Sequence, residues 1–352
     1  MPVLSSRRRA ASALWVLLAL LVAATGACSD GGVTGGSSPL APDPSAPPAT
    51  TTSPAPPPSA GRPPASEPSG EPTSERSAPA GTSSPSAAEP CGRPGPAPAA
   101  YEHVVVVLEE NRTWGQVGGV GFGDMAWLGQ LAAGCTVYTD WRETNPGQNS
   151  LTQYIGLTSG VDNPATVNDC KPSDRCRSTD DNIFRQVREA GGTARTYVEG
   201  ATTPCSAQGN AAKHIPALYY QGGDDPAHCD TEVRPLGELD PDHLPTYAMI
   251  VPDLCHDGHD CDDDTVDSWL ADHLGPVLDG ADYRAGTTAV FVLWDEDHPV
   301  PNLVIAPTAT AGRLSLDGAG HAAALRTMEE LLGLPLLAGA ADAPSLRPSA
   351  NL

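Results

Sequence analysis

AVFVLWDED, residues 289–297, sets an unbroken apolar run against three acids. Ala289, Val290, Phe291, Val292 and Leu293 leave no polar position for a solvent face, the pattern of a strand covered on both sides. Asp295, Glu296 and Asp297 follow after one tryptophan. A solvated loop explains one such junction, but the junction recurs. HVVVVLEEN (103–111) runs four valines into Glu109, Glu110 and Asn111, and TYAMIVPD (246–253) ends at Asp253 and leads into LCHDGHDCDDD. VPNLVIAPT (300–308) and ARTYVEG (194–200) are further strand-like runs. Helical patterns alternate with them: NIFRQVREAGG (182–192), with Thr179, Asp180 and Asp181 as capping candidates, DSWLADHLGPVL (267–278) and AAALRTMEELLGL (322–334). This alternation predicts an α/β fold, a mostly parallel central sheet with helices on both faces. Ligands of such sheets bind beyond the carboxyl ends of the strands, which is where the acidic clusters fall.

The chain's first part has a different character. Arg7, Arg8 and Arg9 precede an apolar stretch at 10–24 and the segment TGAC, the layout of an export signal. We expect a signal peptide at 1–28, with Cys28 placed for lipid attachment, although Thr25 stands where leucine is usual. Residues 29–98 are rich in Pro, Ser and Ala and too poor in large apolar side chains to offset the entropy of ordering, so a disordered tether is expected there. A catalytic domain at 99–342 and a short tail at 343–352 complete the division. No later segment is apolar enough to span a bilayer, so the expected membrane contact is the lipid on Cys28, at the cell envelope.

Setting Cys28 aside leaves eight of nine cysteines, a number suited to four disulfides in an oxidising compartment. The pairing does not follow from sequence. Short loops are the natural guess: 170–176, 205–229 and 255–261, with 91–135 by elimination. The net charge of −23 opposes nucleic-acid binding, since such a surface repels phosphates.

Glu110, Asn111, Asp257, His259, Asp295, Glu296 and His321 are all oxygen or imidazole donors. Crowded carboxylates take up protons unless a cation neutralises them, so one or two divalent metal ions are expected, of a kind the residues do not specify. His321, in GAGHAAALRT, stands at the mouth of a helix behind glycines that would let backbone approach a ligand. Asp262, Asp263 and Asp264 read instead as an acidic surface loop. Ser150 and Thr152, after a Pro-Gly turn, offer hydroxyls at the start of a helical segment, whose N–H groups would face an anionic substrate.

From 101 to about 338 the chain resembles the phosphoesterase family of bacterial and fungal acid phosphatases and phospholipases C, within the group of alkaline-phosphatase-like fold. HVVVVLEENRTW is similar to the opening motif, implying metal binding by Glu110 and Asn111. NSLTQYIGLTSG resembles the segment that carries the nucleophile, implying that role for Ser150, although Gln148 and Asn149 replace the usual histidine and proline. YVEGATTPC and AAKHIPALYY resemble middle motifs, implying phosphate contacts for His214 and Lys213. MIVPDLCHDGHDC carries over Asp257 and His259, and FVLWDED carries over Asp295 and Glu296. GHAAALRTMEELLGLP resembles the closing motif and includes His321, with Ala323 in place of a serine.

The resemblance implies an exported metal-dependent hydrolase of small phosphate esters, acid-phosphatase-like, using Ser150 with His214 or His259 to protonate the leaving group. A phospholipase C on the same centre, or a wall-tethered lipoprotein that only binds, would use the same residues. A metal-independent serine esterase is opposed by the absence of a Gly-x-Ser-x-Gly elbow. On net charge alone, uncharged or singly charged esters are the favoured substrates.

Overall fold

The computed structural model describes residues 89–352. The expected signal peptide, Cys28 and the tether up to residue 88 lie outside the described residues. Eight strands form one sheet: β1 (His103–Glu109), β2 (Thr136–Tyr138), β3 (Ala194–Val198), β4 (Val233–Pro235), β5 (Tyr247–Val251), β6 (Thr288–Trp294), β7 (Asn302–Ile305) and β8 (Gly312–Leu314). Their order is β4-β3-β5-β1-β6-β7-β2-β8, and only β7 runs against its neighbours. β1 lies between β5 and β6, parallel to both, in a register that sets Glu109 beside Trp294. The continuous valine run has the meaning expected of it: Val104 to Leu108 are at most 1% exposed, so both faces are covered.

The principal helices are α1 (Ala126–Gly134), α2 (Ser150–Ser159), α3 (Ile183–Glu189), α4 (Asp225–Glu232), α5 (Asp263–Asp279), α6 (Ala281–Ala285) and α7 (His321–Leu332). α1 packs on α5, and α2 packs on α7. The cap of α3 is Asn182, whose side chain accepts from Arg185 N, rather than the three residues before it. Asp180 is instead engaged by Ser178 and Asn163. Two of the acids 262–264 also have structural roles. Asp262 caps α5 through Thr265 N, and Asp263 pairs with Arg112 at 2.9 Å. Among the described residues, no helix is long and apolar enough to cross a membrane.

Four disulfides join Cys91 to Cys135, Cys170 to Cys176, Cys205 to Cys229 and Cys255 to Cys261, the short-loop set in full. They fit an oxidising compartment outside the cytoplasm. The first holds down chain assigned above to the tether: Gly92 N and Arg93 N donate to Ala309 and Pro307 carbonyls, and Pro90 O accepts from the Tyr283 hydroxyl. The tail is likewise packed, with Leu346 and Ala350 fully buried and the Arg347 guanidinium donating to Pro98 and Ala99 carbonyls.

Glu329, fully buried on α7, gives a first prediction. One carboxyl oxygen accepts from Leu337 N, and the other has no partner, as does Gln186 Oε1 on the neighbouring side chain. Burial pushes its pKa up to about 7. A raised acid favours the fold below the ordinary carboxyl range, and that contribution is lost as pH rises through about 7. Glu329→Gln removes the buried charge permanently, so it should stabilise the protein at pH 8 by about 1–3 kcal/mol and do little at pH 4. Denaturant melts at both values test this, and equal effects at the two pH values would count against it.

Candidate active site

Backbone bonds between loops assemble the site at the carboxyl edge of the sheet. Glu110 N donates to Asp257 O at 2.7 Å, and Asp295 N donates to Glu109 O at 3.0 Å, so the chain leaving β1 is tied to the segments following β5 and β6. Asn111 turns the chain with φ 52°, a conformation asparagine tolerates. Its backbone N–H reaches Asp295 Oδ1 at 3.2 Å, and its amide donates to Glu110 Oε2 at 3.0 Å. Gly258 and the disulfide between Cys255 and Cys261 shape the loop carrying Asp257 and His259, and His259 N donates to Asp257 Oδ1.

Glu110 is the hub. Its carboxylate accepts from the Ser150 hydroxyl and from His214 Nε2, and its Oε1 lies 2.9 Å from Lys213 Nζ. Two sets of donor atoms share it, Glu110 with His214 and Asp257, and Glu110 with Asp295 and Glu296, each set lying within 4.8 Å. The residues fit one or two divalent cations. Asp257 Oδ2, Asp295 Oδ2 and His214 Nδ1 are buried without a hydrogen-bond partner, which a cation would satisfy. His214 Nδ1 is 3.1 Å from Asp257 Oδ2, close but not aligned for a hydrogen bond.

The electrostatics agree. Burial would raise Glu110, but His214, Lys213 and Ser150 outweigh it and hold its pKa low. Burial opposes a charged His214, yet Asp257 and Glu110 on its two sides raise it. Burial, with Glu110 and Glu296 nearby, drives Asp295 well up, and burial with Glu110 and Asp297 brings Glu296 to about 7. Glu109, at the end of β1, is fully buried with neither oxygen partnered, and burial with Asp257 beside it pushes it well up.

Ser150 opens α2. Its hydroxyl lies 3.1 Å from Lys213 Nζ and 3.4 Å from Glu296 Oε1. Thr152 is fully buried and donates to Thr166 O, away from this group. Of the first N–H groups of the helix, that of Ser150 has no partner among the described residues, while the next two are taken up within the protein. Leu151 N donates to Asp169 Oδ1 at 3.0 Å, and Thr152 N donates to Asn149 O. The positive group beside the nucleophile is Lys213. Burial works against its charge, but Glu110 and Asp169 together raise its pKa.

The two candidate acids differ in access. His214 is fully buried and stacked on Tyr154 with centroids 4.9 Å apart, so it does not reach the mouth. His259 is 38% exposed at its side chain, with Nε2 3.8 Å from Glu110 Oε2, and lies outside the two donor sets.

His321 corrects its sequence reading. Its Nε2 donates to Trp294 O at 2.9 Å and its Nδ1 accepts from Thr144 N at 3.2 Å, so neither nitrogen is left for a cation. Burial lowers its pKa to about 4, which keeps it neutral. Gly320 serves packing: a Cβ there would lie 2.4 Å from Arg142 O.

Sequence reading missed Asp169, which joins Leu151 N to Lys213, 3.6 Å away. Nor did it join Asp253, the end of one acidic junction, with Glu199 and His256, which form a second acidic-histidine group. That group is knit internally: Glu199 accepts from Trp269 Nε1 at 3.0 Å and from Asp253 N at 2.8 Å, while His256 Nδ1 lies 3.0 Å from it. It braces the loop that supplies Asp257 and His259.

Comparison with known proteins agrees with the motifs. Phosphatidylinositol-3-phosphatase of Mycobacterium tuberculosis is 27% identical over 257 residues, covering 70% of this chain and 82% of that protein. A probable acid phosphatase of Kluyveromyces lactis is 23% identical over 220 residues, 57% of this chain and 48% of that protein. Among solved structures, a protein in the alkaline phosphatase superfamily from Vibrio parahaemolyticus matches with a TM-score of 0.49 at 12% identity, covering 68% of each chain. No family model matches the chain. The relatives bear out the resemblance: the chain is related to phosphatase-type phosphoesterases.

Proposed function

We propose that the protein is an exported, metal-dependent phosphoric ester hydrolase, a phosphomonoesterase of acid-phosphatase type with Ser150 as its nucleophile and a lipid on Cys28. The observation that carries this reading is the position of the Ser150 hydroxyl, at the start of a helix, between Lys213 and the one carboxylate common to both donor sets. Glu110, Asp257, Asp295, Glu296 and His214, with Asn111 beside them, would hold the cation, which supplies charge neutralisation and a lowered hydroxyl pKa.

The chain's own groups do the rest. Ser150 donates its proton toward Glu110 and attacks phosphorus in line, giving a phosphoseryl intermediate as the ester oxygen departs. Lys213 faces the charge that develops on the phosphoryl oxygens. His259, the accessible histidine, protonates the leaving oxygen, and water then releases phosphate from Ser150.

The test uses the full chain with disulfides intact and a generic aryl phosphomonoester, beside the matching diester, across about pH 4–9. Chelation should lower monoester turnover at least about 100-fold, with recovery on adding back a divalent metal. Turnover untouched by chelator would overturn the reading in favour of a metal-independent esterase. Preference for the diester would move it to the phospholipase C type.

A further inference from the structure

Net charge taken alone favours substrates with little charge, but charge is not spread evenly around this site. The chain has only two lysines, Lys171 and Lys213. Lys213 touches the Ser150 hydroxyl. Lys171 lies two residues from Asp169, whose carboxylate accepts from Leu151 N at 3.0 Å and lies 3.6 Å from Lys213 Nζ. Two peptide steps limit the Cα of Lys171 to within about 7.6 Å of that of Asp169.

The segment 170–177, CKPSDRCR, carries Lys171, Arg175 and Arg177 against a single acid, Asp174. All three cations are exposed. Arg177 pairs with Asp174 at 3.4 Å, whereas Lys171 and Arg175 have no ion-pair partner among the described residues. The segment is also held in place. A disulfide joins Cys170 to Cys176, with Cα atoms 5.9 Å apart, and brings Arg175 and Arg177 back beside the start of the loop. Ser173 and Cys176 exchange backbone bonds, and Cys170 O accepts from the Tyr219 hydroxyl. Arg175 and Arg177 line a surface recess with Asp162, Asp174 and Asp180, so the feature that stands out in a chain of net charge −23 is the pair of unpaired cations, Lys171 and Arg175, on a fixed loop at the edge of the nucleophile's surroundings.

We propose that this loop recognises a second anionic group of the substrate, a phosphate or similar oxyanion remote from the ester being hydrolysed. The inference rests on the hydrolase reading and names its substrate class: phosphomonoesters of molecules that carry another fixed negative charge. Lys171 and Arg175 are its specificity-determining residues. They touch no reacting atom.

The test compares the full chain with the double variant Lys171→Glu, Arg175→Glu on two substrates, an aryl monophosphate and a soluble polyol bisphosphate. The wild type should favour the bisphosphate about tenfold in kcat/KM at low salt, and the preference should shrink in concentrated salt as charges are screened. The variant should lose that preference through KM, with the aryl monophosphate changed less than about twofold and the melting temperature preserved. A preference unchanged in the variant, or absent from the wild type, overturns the proposal while leaving the hydrolase reading intact. If neither substrate turns over, the hydrolase reading fails. Calorimetric binding of the bisphosphate to both chains still decides this proposal, which predicts weaker binding by the variant. Sedimentation with vesicles of anionic phospholipid lacking any phosphomonoester forms the last arm. Vesicle binding lost in the variant, with no bisphosphate preference in the wild type, would assign the loop to a membrane surface and overturn the proposal.

Discussion

Ser150→Ala should reduce kcat on an aryl phosphomonoester by at least about 10⁴-fold while leaving the melting temperature within about 2 °C of wild type. The size of the effect follows from the surroundings of the hydroxyl. Glu110 accepts its hydrogen, Lys213 lies 3.1 Å from it, and Glu296 lies 3.4 Å away. Thr152, the other candidate hydroxyl in the segment, is not placed to substitute: it is buried and bonded to Thr166 O. The fold should tolerate the change because alanine is a good helix former and Leu151 N keeps its acceptor in Asp169. Single-turnover kinetics supply a sharper readout, since a burst of released alcohol in the wild type should vanish in the variant. Activity within tenfold of wild type would mean that water attacks directly and that Ser150 only lines the site.

Glu110→Gln should be nearly as severe, lowering kcat/KM by about 10³-fold or more, and it should also abolish the rise in melting temperature that a divalent metal gives the wild type. Both donor sets include this carboxylate, so one substitution weakens both. The amide also leaves Lys213 and His214 without their shared counter-charge, so the variant's metal-free baseline will itself fall. For that reason the informative quantity is the shift between metal-free and metal-loaded protein, measured for each chain against its own baseline. A shift equal to that of the wild type would show that the cation is held elsewhere.

Much of this arrangement is legible in the sequence, for physical reasons that differ by element. β1 and β6 stand out because strands buried on both faces leave no polar interruption, and the acids that follow them mark where burial ends. β2, β4 and β8 have three residues each, too few to display any period; β4 and β2 form on the edges of the longer β3 and β7, and β8 pairs in turn on β2. β7 reads as one more strand, and its antiparallel direction emerges only from the pairing. Glu110, Asp257, Asp295, Glu296 and Ser150 are brought together from four separate segments, which motif order anticipates. His321 is misread because glycines beside a histidine look the same whether they admit a ligand or, as here, the backbone of Arg142. Asp169 carries no local signal: its importance lies in contacts with Leu151 and Lys213, distant in sequence, and nothing in the stretch around it reports them.

The disulfide between Cys255 and Cys261 closes the six-residue step that carries Asp257 and His259. In the life of the protein this turns geography into biochemistry. A newly made chain in a reducing cytoplasm holds its hydroxyl and most of its carboxylates, but not the cross-link that fixes this loop. The loop is secured only after the chain meets an oxidant. On the export proposed above, synthesis of the chain and completion of this loop take place in different compartments.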